Sequence, residues 1–223
     1  MIGAVIPAFD AESSVGDIVR RTRNLIEQVL VVDDGSRDRT AEAARAAGAR
    51  VIVHPHNRGK GCALRTGFDD LFARGCTEVV TLDADGQHLP EEIPKLRGAR
   101  AQGADLVLGS RSALFAQMCG RRRLANRMSS RMISFAAGQA LEDVQTGFRL
   151  YTQALIAATG FPEHRFEAES AVVVRAVRLG FKVLLVPIEL GFADGRCTSH
   201  YRPIVDSVRI ACAVTRARFE FLG

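Results

Sequence analysis

The chain has 223 residues, 47% of them apolar and 25% charged, a globular composition that fits one domain burying roughly 70% of its unfolded surface. Its formal charge of +5 suits an anionic substrate or an acidic membrane surface. Tryptophan is absent and other aromatics are few, which excludes a base-stacking surface for nucleic acid.

Residues 2–6 read as a strand directly after Met1, with no basic leader or hydrophobic signal core, and no apolar run is long enough to span a bilayer. The chain is therefore expected to be soluble or peripheral. Residues 13–25 predict a helix, 28–32 a second strand ending in Asp33-Asp34-Gly35-Ser36, and 40–47 an alanine-rich helix stopped by Gly48. Residues 50–53 predict a third strand and 61–73 a helix stopped by Gly75. Glu78-Val79-Val80-Thr81-Leu82 has the β-branched, apolar character of a buried parallel strand. A helix follows over 91–101, with Pro90 at its first position and Glu91 and Glu92 in its first turn. Residues 106–108 are the fifth strand. Four βα repeats in about 105 residues predict an α/β fold, a mostly parallel sheet with helices on both faces.

The second half is less regular: a helix over 123–139, a short strand over 147–151, a helix over 167–179, a strand over 182–188 and a helix over 203–218. No linker or repeat separates the halves. The expected organisation is a single domain, 1–223, with 1–111 as a nucleotide-binding front and 112–223 as an acceptor-side back. The five cysteines (Cys62, Cys76, Cys119, Cys197 and Cys212) are odd in number, widely spaced and form no C-x-x-C pair. That spacing argues against a disulfide framework or zinc site, and a cytoplasmic compartment is expected.

Asp83-Ala84-Asp85-Gly86-Gln87-His88 follows the fourth strand, so its acids lie at the carboxyl end of a strand, where open α/β sheets bind ligands. Asp83, Asp85 and Gln87 put three oxygen donors within five residues. Such a set suits a hard divalent cation whose shell is completed by waters and phosphate oxygens. Turns also use Asp and Gly, so the weight comes from the company these residues keep. Val5-Ile6-Pro7-Ala8-Phe9-Asp10-Ala11-Glu12 and Val32-Asp33-Asp34-Gly35-Ser36 put further acids on the same edge. Carboxylates there accept hydrogen bonds from a base and a ribose, or else cap turns and helices, as Ser36 and Asp38 would. The edge outlines a nucleotide-diphosphate site.

The stretches VIPAFDAE, VVDDGSRDRT, HNRGKGCALRTGF, TLDADGQHLPEEI, GSR, DVQTGFRLY, RFEAES, VPIELGF and TSHYRP, in this order, resemble the family-2 glycosyltransferases of the GT-A fold. Within that family the chain is most similar to polyprenyl-phosphate sugar synthases of the dolichyl-phosphate mannosyl- and glucosyltransferase kind. The resemblance implies that Pro7, Ala8, Asp10 and Asp34 line the pocket for base and ribose. It implies Lys60 beside the donor, at a helix start whose free N–H groups favour phosphate, although a solvated loop lysine is the alternative. Asp83, Asp85 and Gln87 would hold Mg²⁺ or Mn²⁺ on the donor diphosphate. One departure stands out. The family's first motif usually carries Tyr-Asn before two acids, and Phe9-Asp10-Ala11-Glu12 here puts an extra carboxylate near the base.

Asp143 falls where relatives with alcohol acceptors carry a catalytic base; alternatively it pairs with Arg149 across the intervening turn. Arg111, Arg149, Arg196, His200 and Arg202 make up a cationic set suited to an acceptor phosphate. Leu124, Met128, Met132, Phe135 and Ala136 form a stripe at helical spacing, and Ile204, Val208, Cys212, Phe219 and Leu222 form another. Core packing accounts for such stripes, as does lipid contact; the run Arg121-Arg122-Arg123 favours an anionic lipid surface for 121–139. The expected reaction is inverting transfer of a hexose from a nucleotide-diphosphate sugar to a polyprenyl phosphate at the cytoplasmic face of the membrane. The alternatives are a sugar or lipid hydroxyl acceptor, a sugar nucleotidyltransferase, and a non-catalytic sugar-nucleotide-binding module. Nucleotidyltransferases usually open with a glycine-rich basic loop, where this chain has the glycine-free, acidic stretch from Pro7 to Glu12.

Overall fold

Strand residues of this chain are apolar on both sides, and both sides are covered. The computed structural model describes residues 1–111, 120–191 and 203–220, with side chains for 1–111, 128–191 and 205–220. Seven strands make one sheet: β1 Ile2–Ala8, β2 Gln28–Asp33, β3 Arg50–Val53, β4 Glu78–Thr81, β5 Leu106–Ser110, β6 Arg149–Thr152 and β7 Val183–Pro187. Their order is β3-β2-β1-β4-β6-β5-β7. Eight α-helices among the described residues flank the sheet: α1 Val15–Arg23, α2 Thr40–Ala46, α3 Lys60–Ala73, α4 Ile93–Ala101, α5 Gly120–Ala137, α6 Gln153–Thr159, α7 Glu167–Arg178 and α8 Pro203–Phe219.

The period-2 alternation of the strands divides the core in two. Val5, Leu30, Val32, Val79, Leu106, Leu108 and Tyr151 pack with α3, α5, α7 and α8. Ala4, Ile6, Val29, Val31, Val80, Val107 and Leu150 pack with α1, α2 and α4. This is the α/β architecture expected from the repeats. The helix expected to start at Pro90 does so as a single 3-10 turn, Pro90–Glu92, which leads into α4. No helix among the described residues is long and apolar enough to cross a membrane. The described cysteines Cys62, Cys76 and Cys212 are unpaired thiols.

Two features depart from the sequence expectation. A seven-residue helix, α6, follows β6 without a loop; its first turn is capped by the Thr152 hydroxyl, which accepts from the Leu155 N–H at 3.3 Å. And β6 runs antiparallel to both neighbours, β4 and β5, while every other pairing is parallel. A four-residue buried strand carries no directional signal in its side chains, so only its place between β4 and β5 decides which way it runs. The consequence is functional. An antiparallel β6 brings its amino end, with Gly147 and Phe148, to the edge where β1, β2, β4 and β5 end. There the Thr81 hydroxyl donates to the Gly147 carbonyl at 2.8 Å, and the Gly109 N–H donates to the Phe148 carbonyl at 2.9 Å.

Candidate functional site

The first two strand ends are laced together by their acids. Pro7 and Ala8 lie on β1 beside Val32 and Asp33 of β2. Asp10 is exposed and adopts a left-handed backbone conformation, φ 50°, which Asn and Asp tolerate better than other side chains. Its carboxylate accepts from the Arg37 N–H at 2.8 Å, and its own N–H donates to the Ser36 hydroxyl at 2.9 Å. The departure from the family's Asn is thus also a turn residue closing one loop on the next. Glu12 pairs with Arg39 at 2.7 Å across the same junction. Asp34 is buried, and its carboxylate is taken up inside the protein. It accepts from the Arg58 N–H at 3.0 Å and the Gly59 N–H at 2.7 Å, and lies 2.6 Å from His54 Nδ1. Asp34 therefore shapes the loop that delivers Lys60. Gly59, with φ 100°, must be glycine there, since a Cβ would fall 2.5 Å from the His164 carbonyl oxygen.

Lys60 is no solvated loop lysine. Its ammonium lies 2.5 Å from Asp83 Oδ1 and 2.9 Å from Glu169 Oε2, with 15% of the side chain exposed. Burial pulls the Lys60 pKa down, but the charges of Asp83 and Glu169 outweigh burial and raise it. At Asp83, burial pushes the carboxyl up, while Lys60, then His88 and more distantly Arg111, bring it down to about 2. Gly147 roofs the pair: a Cβ there would sit 2.5 Å from Asp83 Oδ2 and 2.6 Å from Lys60 Nζ. His88 is buried, stacks on Phe148 with ring centroids 5.5 Å apart, and accepts the Asp83 N–H on Nδ1 at 3.1 Å. Burial holds its pKa below the ordinary histidine value, against the pull of Asp83 and Asp85. The loop from Asp83 to His88 is thereby folded back on itself, and an Asp85 oxygen accepts the Gln87 N–H at 3.0 Å.

On the far side, Asp143 and Arg111 form a two-pronged pair. Arg111 Nε and Nη2 reach the Asp143 carboxylate at 2.9 and 2.7 Å, and the Arg111 backbone N–H adds a third bond at 2.5 Å. The Asp143 side chain is wholly buried and its backbone is left-handed, φ 49°. The pairing of Asp143 with Arg149 considered from the sequence is corrected: the partner is Arg111. Nor does Arg149 join the cationic set. It is fully buried, and its guanidinium donates to the carbonyls of Thr146 at 2.7 Å, Val144 at 2.7 Å and Glu169 at 2.5 Å, holding the 144–147 turn from beneath. Arg196, His200 and Arg202, with the side chains of Arg121, Arg122 and Arg123, lie outside the described residues.

Sequence reasoning missed Glu169 as a partner of Lys60. Glu167 and Glu169 are two apart on a helix, hence on opposite sides. On a helix that packs against the core, one of them had to face inward.

The oxygen donors suit a hard cation in kind. In number they do not make a closed cage: among the described residues no three His, Cys, Asp or Glu side chains come together as a metal site. Asp83 is engaged by Lys60 and Asp85 partly by its own loop. An ion bound here would draw the rest of its shell from donor phosphates and water, as magnesium ordinarily does.

Residues 4–161 match glycosyl transferase family 2. A polyprenol monophosphomannose synthase of Mycolicibacterium smegmatis is 33% identical over 200 residues, covering 82% of this chain and 75% of its own length. An undecaprenyl-phosphate 4-deoxy-4-formamido-L-arabinose transferase of Pseudomonas aeruginosa is 32% identical over 203 residues, covering 79% of this chain but only 58% of its own length. Among solved structures, a glucosyl-3-phosphoglycerate synthase of Mycobacterium tuberculosis, crystallised with Mn²⁺, uridine diphosphate and phosphoglyceric acid, is alike in fold. The TM-score is 0.75 over 99% of this chain and 78% of that one, at 21% identity.

Proposed function

The chain belongs to glycosyl transferase family 2, and from that premise we propose that it transfers a hexose, with inversion, from a nucleotide-diphosphate sugar to a polyprenyl phosphate at the cytoplasmic face of the membrane. In this reading the base and ribose lie over Pro7, Ala8 and the Asp10–Asp34 junction. Asp85, with Asp83 and Gln87, would hold Mg²⁺ or Mn²⁺, which when bound neutralises charge growing on the departing diphosphate. Lys60 fixes Asp83 and adds positive charge on the donor side of the cleft. An acceptor phosphate oxygen attacks the anomeric carbon from the side opposite the leaving diphosphate. Arg111 orients that phosphate, with His200 and Arg202 assigned to the same cationic set.

One observation carries the acceptor class. Asp143 occupies the position expected of a base, yet its carboxylate is wholly buried and bound three times by Arg111. A carboxylate held that way orients an arginine and is poorly placed to take a proton. A phosphate monoester is ionised near neutral pH and needs no base, whereas an alcohol deprived of its base loses about 10²–10⁴ in rate. The polyprenol monophosphomannose synthase and the undecaprenyl-phosphate arabinose transferase among its relatives support the same acceptor.

The test is a side-by-side assay with a panel of nucleotide-diphosphate hexoses and either polyprenyl phosphate or the matching polyprenol. Transfer to the phosphate and little to the alcohol is expected. Equal transfer to the alcohol would overturn the acceptor, and release of free diphosphate from a nucleoside triphosphate would make the protein a nucleotidyltransferase instead.

A further inference from the structure

Of the nine large hydrophobic side chains that stand exposed among the described residues, five lie on α5 and α8: Met128, Phe135, Val205, Val208 and Phe219. Phe135 is 77% exposed and Phe219 57%, values that rule out core packing for the outer halves of both stripes. The inner sides of the same helices are spent on the core, through Ile133 and Ala136 on α5 and Ile210, Val214 and Ala217 on α8. Met128 and Phe135 are seven residues apart, and Val208 and Phe219 eleven. Both spacings are close to whole numbers of helical turns, so each pair lies on one outward stripe. Arg218 joins the stripes. Its guanidinium lies 5.0 Å from the Phe135 ring centre and 6.0 Å from that of Phe219, and donates to the Phe135 carbonyl at 2.6 Å.

The charges carried by the two helices are nearly all positive; Glu163 and Glu167 line a pocket with Arg209 and Arg216, and Glu163 is taken by Arg175. Helix α5 carries five arginines and no acid. Helix α8 contributes Arg209, Arg216 and Arg218, while its one acid, Asp206, is buried against Arg209. Glu220, just beyond, is taken by Arg175. Exposed aromatic and aliphatic side chains flanked by Arg131, Arg209, Arg216 and Arg218 are the composition of a surface that lies in the headgroup region of an anionic bilayer. Arginine stacked over phenylalanine keeps its charge at the polar level while its stem covers apolar surface.

We infer that the shared outer face of α5 and α8 docks on an anionic lipid bilayer. A second copy of the chain fits poorly, because a twofold contact would set these arginines against their own images. The inference deepens the lipid-phosphate reading by naming the surface that brings the enzyme to its acceptor, and rests on that reading only for its purpose. A water-soluble acceptor would need no such face.

Vesicle co-sedimentation tests it, and requires neither donor nor turnover, so its failure is separate from any failure of the transfer assay. Wild-type protein should bind phosphatidylglycerol-containing vesicles at low salt, bind pure phosphatidylcholine much less, and release at about 0.5 M salt, where the screening length falls to a few ångströms. Phe135→Ser combined with Phe219→Ser should weaken partitioning at least about tenfold, given what burying each ring contributes. Val53→Ser, which removes an exposed apolar side chain elsewhere, should not. Both variants change exposed positions, so an unchanged melting temperature certifies the fold. Wild type that stays in the supernatant at low salt overturns the inference, as does a double variant that binds like wild type. So does a concentration-dependent dimer abolished by the double variant, which would give the face to a second copy.

Discussion

At the scale of single residues, the site is a set of charges each held by another. Lys60 stands between Asp83 and Glu169, and Glu169 Oε1 has no hydrogen-bond partner among the described residues, with Arg149 Nε 3.8 Å from it. Removing one member of such a buried pair strands the other. Glu169→Ala should therefore cost about 3 kcal/mol, the low end for a broken buried pair because Lys60 keeps Asp83. Urea unfolding with an unchanged slope would report it; a loss under about 0.5 kcal/mol would show that Lys60 is solvated in solution. Asp85→Asn tests the opposite property. Asp85 is not part of the Lys60 pair, so stability should hold while transfer falls by orders of magnitude, the metal's share of leaving-group stabilisation being several kcal/mol. Activity that persists in this variant, or in excess chelator, would remove the metal from the proposal.

At the scale of elements, α8 is pinned at its end. Arg175 of α7 is buried and binds both Glu163, in the segment before α7, and Glu220, at 2.5 Å just past α8. That segment also seats α3: the Cys62 N–H donates to the His164 carbonyl at 3.1 Å. The end of α8 and the start of α3 thus share one support. The hydrogen bond from Arg175 holds the Glu220 carboxyl below the usual glutamate range. With a lowered folded pKa, this stabilisation is whole above the unfolded value of about 4.3 and is lost as pH falls through the folded one. Glu220→Gln should therefore be less stable than wild type at pH 7, and the gap should close below about pH 4. Denaturant midpoints at both pH values measure this, and a gap that does not shrink would mean the pair contributes nothing.

For the whole molecule, the cleft lies along one edge of the sheet, between the ends of strands that all belong to one sheet. Donor binding should then stabilise the fold as a unit. A nucleoside diphosphate present with Mn²⁺ at about a hundred times its Kd should add about 2.7 kcal/mol. The resulting rise in melting temperature should vanish with chelator if the cation bridges protein and diphosphate. A rise that chelator leaves intact would mean that the protein's own groups hold the diphosphate.

Everything legible in the residues alone is local. Strand alternation, glycine stops and acids after strands follow from side-chain period and turn chemistry within a few residues. They were enough for the α/β sheet, for the edge that carries Asp83 and Asp85, and for the family. Tertiary structure decided whatever depends on residues far apart in the chain. The direction of β6 put Asp143 against Arg111, 32 residues away, and turned Arg149 inward to the 144–147 carbonyls. Asp34 became a loop-builder because His54, Arg58 and Gly59 fold over it. An apolar stripe on a helix reads the same whether it meets a core or open solvent. Only the packing of α5 and α8 left Phe135 and Phe219 outside, because each helix has one side to spend on the core and, among the described residues, no further element covers the other.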